Sequence, residues 1–189
     1  MTHEPRLTVA LRSLLNTQRV AALGTLGEDG HAVVSMVPFA IDASTGTPVI
    51  HVSGLAAHTR NLERVPRVSL MVMQAEVAGA PVHALARVTL DGMASVLAVD
   101  SAAWLSARAA YLTRFPDVEY MTQLGDFRFV AYKGLSTLST TSQHESHRGD
   151  IAKRLTPECF LSFPSMIPDQ TTLLCDSSLM FGGARLADG

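Results

Sequence analysis

Residues 19–41 read RVAALGTLGEDGHAVVSMVPFAI, two apolar runs separated by GEDG. The first run, RVAALGTL, is short and rich in small and branched apolar residues, which predicts a buried strand, and GEDG supplies a tight turn. The second run, HAVVSMVPFAI, predicts the returning strand. Pro38 brings no amide hydrogen to a ladder, so it marks a bulge or an edge there. An antiparallel hairpin this early argues for a fold built from strands.

The segments on either side agree with it. Before the hairpin, Leu7, Leu11, Leu14 and Leu15 fall at helical spacing and predict an amphipathic helix. After it come a turn (DASTGTP), a third strand (VIHVS), a short helix ending near Pro66 and a fourth strand (VSLMVMQ). AEVAGAP reads as a loop, and VHALARVTLDGMASVL as a long strand bent at Gly92. DSAAWLSARAAYLTRFP predicts a helix, with Ser101 as its N-cap and Pro116 just past its end; FRFVAYK is the sixth strand. Six strands with short connections and three helices predict a mainly β chain: a small six-stranded antiparallel barrel with peripheral helices. That domain spans 1–134. The remainder, 135–189, has another texture: LSTLSTTSQHESHR is rich in serine and threonine without a period, and LTPECFLSFPSMIPDQ scatters prolines among apolar residues. This tail is assigned to neither helix nor strand.

The whole chain narrows the function. Its 189 residues suit one domain, and 47% hydrophobic against 17% charged residues points to buried subunit contacts. A net charge of −2 gives no polyelectrolyte footprint, so nucleic acid is not the expected partner. Cys159 and Cys175 form no CxxC or other metal-ligand spacing and fit a reducing compartment. MTHEPRLTVALRSLLNT has neither a long apolar core nor a small-residue cleavage site, and no segment reads as a membrane span. The expected setting is the cytoplasm, with no metal and no membrane partner.

One junction gathers hydrogen-bond donors. In HVSGLAAHTRNL, residues 51–62, a strand ends at Ser53 and a helix begins among His58, Thr59, Arg60 and Asn61. The Ser53 hydroxyl, the free amides of a helix start and the fork of Arg60 together make an anion site, with Thr59 and His58 adding donors. Arg87, a cation in an otherwise apolar strand, calls for an acidic partner or a ligand. The plainer alternative makes Ser53 a helix cap, pairs Arg60 with Glu63 or Glu76, and leaves Arg87 on a solvated face.

The succession RVAALGTLGEDGHAVVSMVPFAI, HVSGLAAHTRNLERVPRVSLMV, ARVTLDG and YLTRFPDVEYMTQLGDFRFVAY resembles the pyridoxamine 5′-phosphate oxidase-related, FMN-binding split-barrel family. The branch it most resembles holds flavoproteins and haem-utilisation proteins. The likeness covers roughly Thr17 to Lys133; its most specific parts are S-x-x-x-x-H-T-x-N and the GDF before the last strand. It implies a homodimer of six-stranded split barrels with FMN at the subunit interface. Val34, Ser35, Met36, Val37 and Pro38 would run beside the isoalloxazine ring through main-chain groups, with Ser35 reaching the ribityl chain or phosphate. Ser53, His58, Thr59, Arg60 and Asn61 would hold the phosphate, and Arg87 would contact flavin or phosphate. Tyr111, Tyr120 and Arg114 would line the pocket, although Tyr120 and Phe127 also read as core or interface aromatics; Trp104 reads as core.

On that resemblance the protein is an FMN-dependent oxidoreductase acting on a small molecule, with the flavin supplying the redox chemistry. No dedicated acid or base stands out. The substrate-phosphate segment of pyridoxamine phosphate oxidase itself is not found, which weighs against that activity. Two alternatives belong to other classes: a haem-binding or haem-degrading protein of the same fold, with His144 or His147 of the tail as iron ligand, and a binding module without a cofactor.

Overall fold

A computed structural model describes residues 6–140 and 146–150. The strands are β1 (Val20–Leu26), β2 (Ala32–Asp42), β3 (Thr47–Ser53), β4 (Arg67–Met73), β5 (Arg87–Val96), β6 (Phe127–Thr140) and β7 (Ser146–Asp150). The helices are α1 (Arg6–Thr17), α2 (Ala57–Arg64) and α3 (Ala102–Arg114), with 3-10 turns at Val82–Ala84 and Pro116–Gln123. The sheet runs β3-β2-β1-β4-β5-β6-β7, and β3 also pairs with β6. That pairing closes six antiparallel strands into a barrel, leaving β7 as an appended strand on β6. The fold is therefore the mainly β, six-stranded antiparallel barrel that the sequence predicts.

Pro38 occupies a change of partner. β2 pairs with β1 from Ala32 through Pro38, and with β3 from Phe39 through Asp42. The missing amide thus falls where β2 leaves one neighbour and takes up the other, so no ladder is broken. The bend expected at Gly92 is also present: β5 and β6 slip register between Asp91 and Met93, and Gly134 on β6 takes a φ of +62° there. Only glycine adopts that conformation at no steric cost.

Two strand boundaries differ from the sequence reading. β5 begins at Arg87, because residues 82–84 form a 3-10 turn. β6 continues past Lys133 to Thr140, pairing there with β5 on one side and β7 on the other. Its outer half, LSTLST, carries too little apolar periodicity to announce a strand; the ladder of β5 supplies the partner instead.

The barrel interior is filled by alternate residues. Leu23 of β1, Phe39 of β2, Ile50 of β3, Leu70 of β4, Leu90 of β5 and Tyr132 of β6 are all buried there. α1 adds Leu11, Leu14 and Leu15, and α2 adds Leu62, so the leucine spacing at the N-terminus does mark a core face. α3 packs outside, where Ala107, Tyr111 and Phe115 meet Ala40, Val49 and Phe129. This is why β3 is buried on both faces. No helix is long and apolar enough to cross a membrane among the described residues.

Candidate functional site

The junction between β3 and α2 forms as expected, but Ser53, Thr59, Arg60 and Asn61 already have partners within the chain. The Ser53 hydroxyl donates to Asp126 Oδ2 at 3.0 Å and accepts from the Leu55 amide at 3.2 Å. Thr59 Oγ1 donates to the Ser53 carbonyl at 2.6 Å, and Arg60 Nη1 donates to the Leu55 carbonyl at 2.7 Å. Asn61 Nδ2 donates to Thr25 Oγ1 on β1 at 3.2 Å. His58 is half-buried, and desolvation lowers its pKa, favouring the neutral ring.

Ser53 does not cap α2. The N-cap is Ala56, which offers no side-chain hydrogen bond. Among the described residues Arg60 pairs with no carboxylate; Glu63 instead meets Arg128 Nε at 3.3 Å. Gly54 is fixed by crowding: its amide donates to the Asp126 carbonyl at 2.6 Å, and a Cβ there would lie 2.9 Å from that oxygen. The junction is thereby stitched to the chain that precedes β6.

Thr25 pairs in register with Val33, so the Asn61 contact brings α2 to the end of the barrel where β2 begins. There the Val34–Pro38 segment alternates. Val37 is buried, Ser35 and Pro38 are half-buried, and Val34 and Met36 are 72% and 68% exposed on the outer face. Arg87 lies elsewhere. It is opposite Met73, four residues along β4 from Ser69, which sits level with Gly24 of β1 and hence Val34 of β2. Four residues of strand amount to about 13 Å, so one protomer does not bring Arg87 to the junction. Among the described residues the Arg87 and Arg67 side chains have no partner.

Other side chains fall away from the site. Arg114 is engaged at α1: its guanidinium donates to the carbonyls of Leu15, Asn16 and Gln18 at the end of that helix and lies 5.0 Å from the Phe39 ring centroid. Tyr111 belongs to the cluster under α3, and burial pushes its hydroxyl up to about 12. Trp104 packs half-buried at the edge of that cluster, whereas Tyr120 is exposed. His144 lies outside the described residues, and His147 is in β7, in register with Ser139 of β6.

Three polar residues, Asp126, Arg128 and His51, escaped the sequence reading. Asp126 sits inside the GDF already recognised as a motif, yet its tie to Ser53 spans 73 residues. Arg128 and Glu63 are 65 residues apart. His51 opens the quoted stretch; it packs on Phe129, Phe127 and Tyr111, with ring centroids 4.4, 4.9 and 5.6 Å away. Desolvation there lowers its pKa to about 4.

The pyridoxamine 5′-phosphate oxidase family model matches residues 7–136, which is the barrel with α1. The chain belongs to this family. Similarity within it runs to haem proteins. The haem oxygenase HutZ of Vibrio cholerae is 32% identical over 123 residues, 65% of this chain and 69% of HutZ. The chloroplastic non-canonical haem oxygenase HOZ of Arabidopsis thaliana is 33% identical over 64% of this chain, but only 36% of its own length is covered. Among solved structures, a haem binding protein from Mycobacterium smegmatis superposes with a TM-score of 0.71 at 27% identity, over 82% of this chain and 61% of that one.

Proposed function

We propose that this protein is a haem-binding member of its family, that it binds haem at a homodimer interface, and that it degrades the bound haem. The observation that carries the reading is the carboxylate of Asp126 on Ser53, where a flavin phosphate was expected. A second anion there would face like charge without a free hydroxyl to receive it. The family members reported above that carry haem names support the same direction.

The outer face fits a porphyrin in kind. Val34 and Met36 offer exposed apolar surface, and Arg67 and Arg87, without a partner among the described residues, suit carboxylates. Such apolar exposure also suits a second copy of the chain. Antiparallel packing of two of these faces would set each Arg87 toward the other protomer's α2 end, completing a site that one protomer leaves divided. Bound haem would supply the iron that activates dioxygen. The chain would supply the apolar seat, the propionate partners and, from His144 or His147, an imidazole for the iron. Cys159 and Cys175, free of any metal spacing, fit a cytoplasmic setting.

The second reading is an FMN-dependent oxidoreductase with a small-molecule substrate. The uncapped start of α2 at Ala56 and the solvent-facing Arg60 favour it. Ser53, His58, Thr59, Arg60 and Asn61 would then release their internal partners to take the phosphate.

Absorption spectra decide between the two. Titration with haem is expected to give a saturable Soret band that weakens in Arg87→Ala, and the band is expected to decay under dioxygen and a reductant. FMN that co-purifies or binds with shifted maxima, with no saturable haem binding, would overturn the haem reading. A Soret band that survives reductant and dioxygen would leave binding without degradation.

A further inference from the structure

Of the five methionines among the described residues, four lie on one outer face of the barrel. The strand register places them. Met36 of β2 faces Ala22 of β1, which faces Met71 of β4; Met73 follows two residues on, and Met93 of β5 faces Arg67 at the other end of β4. Met36 is 68% exposed, and Met71, Met73 and Met93 are 36%, 44% and 45% exposed. No described helix packs over this part of the sheet, whereas α3 covers β2, β3 and β6 on the other side. Met121 is half-buried in the 3-10 turn before β6.

We propose that this face is an oxidant-sensitive assembly surface, on which peroxide converts thioethers to sulfoxides and so holds the protein as separate protomers. The proposal rests on the homodimer reading above. In the step, the methionine sulfur attacks one oxygen of a hydroperoxide. The S–O bond forms as the O–O bond breaks; sulfur is oxidised, and hydrogen peroxide is reduced to water. The sulfoxide is polar and chiral, so a flat apolar contact cannot bury it without finding it a donor. Burial of one unpaired sulfoxide should weaken pairing about tenfold. Paired protomers shield the four sulfurs, so oxidation captures the dissociated form. Sensitivity should therefore rise as the protein is diluted.

The test treats the full chain with hydrogen peroxide over a dilution series, maps sulfoxides by peptide mass spectrometry and measures mass in solution by sedimentation. Expected are sulfoxides at Met36, Met71, Met73 and Met93 ahead of Met121, faster on dilution, with a dimer dissociation constant raised tenfold or more. Methionine sulfoxide reductase should restore the dimer. The variant M36L/M71L/M73L/M93L keeps the apolar surface and should dimerise without responding to peroxide; M36L/M71L, with a halved response, serves if the quadruple variant fails to fold. Sulfoxides at all four positions with an unchanged dissociation constant would overturn the proposal, as would a leucine variant that still dissociates in peroxide. A protein that is monomeric before any peroxide is added would overturn the homodimer reading, and this proposal with it.

Discussion

The two outer faces of the barrel meet different fates. Where β2, β3 and β6 face outward, α3 lies over them, and Ala40, Val49 and Phe129 are buried against Ala107, Tyr111 and Phe115. Where β2, β1, β4 and β5 face outward, Val34, Met36, Met71, Met73 and Met93 remain exposed. Both surfaces are apolar, but only one finds its cover within the described chain. The first therefore contributes to folding, and the second is the face on which the proposed dimer would form.

Substitutions should separate the faces, and the largest effect belongs to the covered one. Phe129→Ala empties an aromatic site between β6 and α3 and should lose about 3–5 kcal/mol in denaturant unfolding. A loss below about 1 kcal/mol would mean that α3 holds the barrel only loosely. Next comes the tie between α3 and α1. Arg114→Ala leaves the carbonyls of Leu15, Asn16 and Gln18 without their cation and should cost about 3 kcal/mol. Hydrogen exchange in that variant should be fastest at the end of α1, because those carbonyls are the ones a helix terminus leaves orphaned.

A pH series probes the covered face more gently. His51 packs among aromatic rings, with its pKa lowered from 6.5 to about 4 by desolvation, against a smaller opposing effect of Asp126. The folded protein thus holds the ring neutral, while the unfolded chain takes up the proton near 6.5. The stability tied to this group is complete above pH 6.5 and is lost as pH falls toward 4, by at most about 3 kcal/mol. Melting temperature across that window should fall less steeply in His51→Phe than in the parent; parallel slopes would assign the acid sensitivity to other groups. The smallest effect on folding is expected on the bare face. Met36→Asp should change unfolding stability by less than about 0.5 kcal/mol while abolishing self-association and weakening haem binding. If it unfolds the protein instead, the contrast between the faces fails.

How far the chain could be read in advance differs from one segment to the next. The N-terminal leucines, the hairpin, the Ser101 cap and the bend at Gly92 are local, and each lies where its residues suggest; Ser101 Oγ accepts from the Trp104 amide at 3.1 Å. The strand LSTLST was not legible, because its evidence is the neighbouring ladder rather than its own pattern. For the candidate site, the residue types and their order were legible, but their partners were not. Ser53 reads equally as cap or anion donor until Asp126 arrives from 73 residues away. Arg114 shows no sign in the sequence that its fork meets the carbonyls of α1, nearly a hundred residues earlier.

The sequence alone determined the periodicities, the turns and the family, because these depend on neighbours a few residues apart. Among the described residues, tertiary structure decided which apolar face is covered, which donors are taken and which arginines stand unpaired. Those outcomes depend on which distant segments the closed sheet brings within a few ångströms of one another, and a linear pattern carries no record of such meetings.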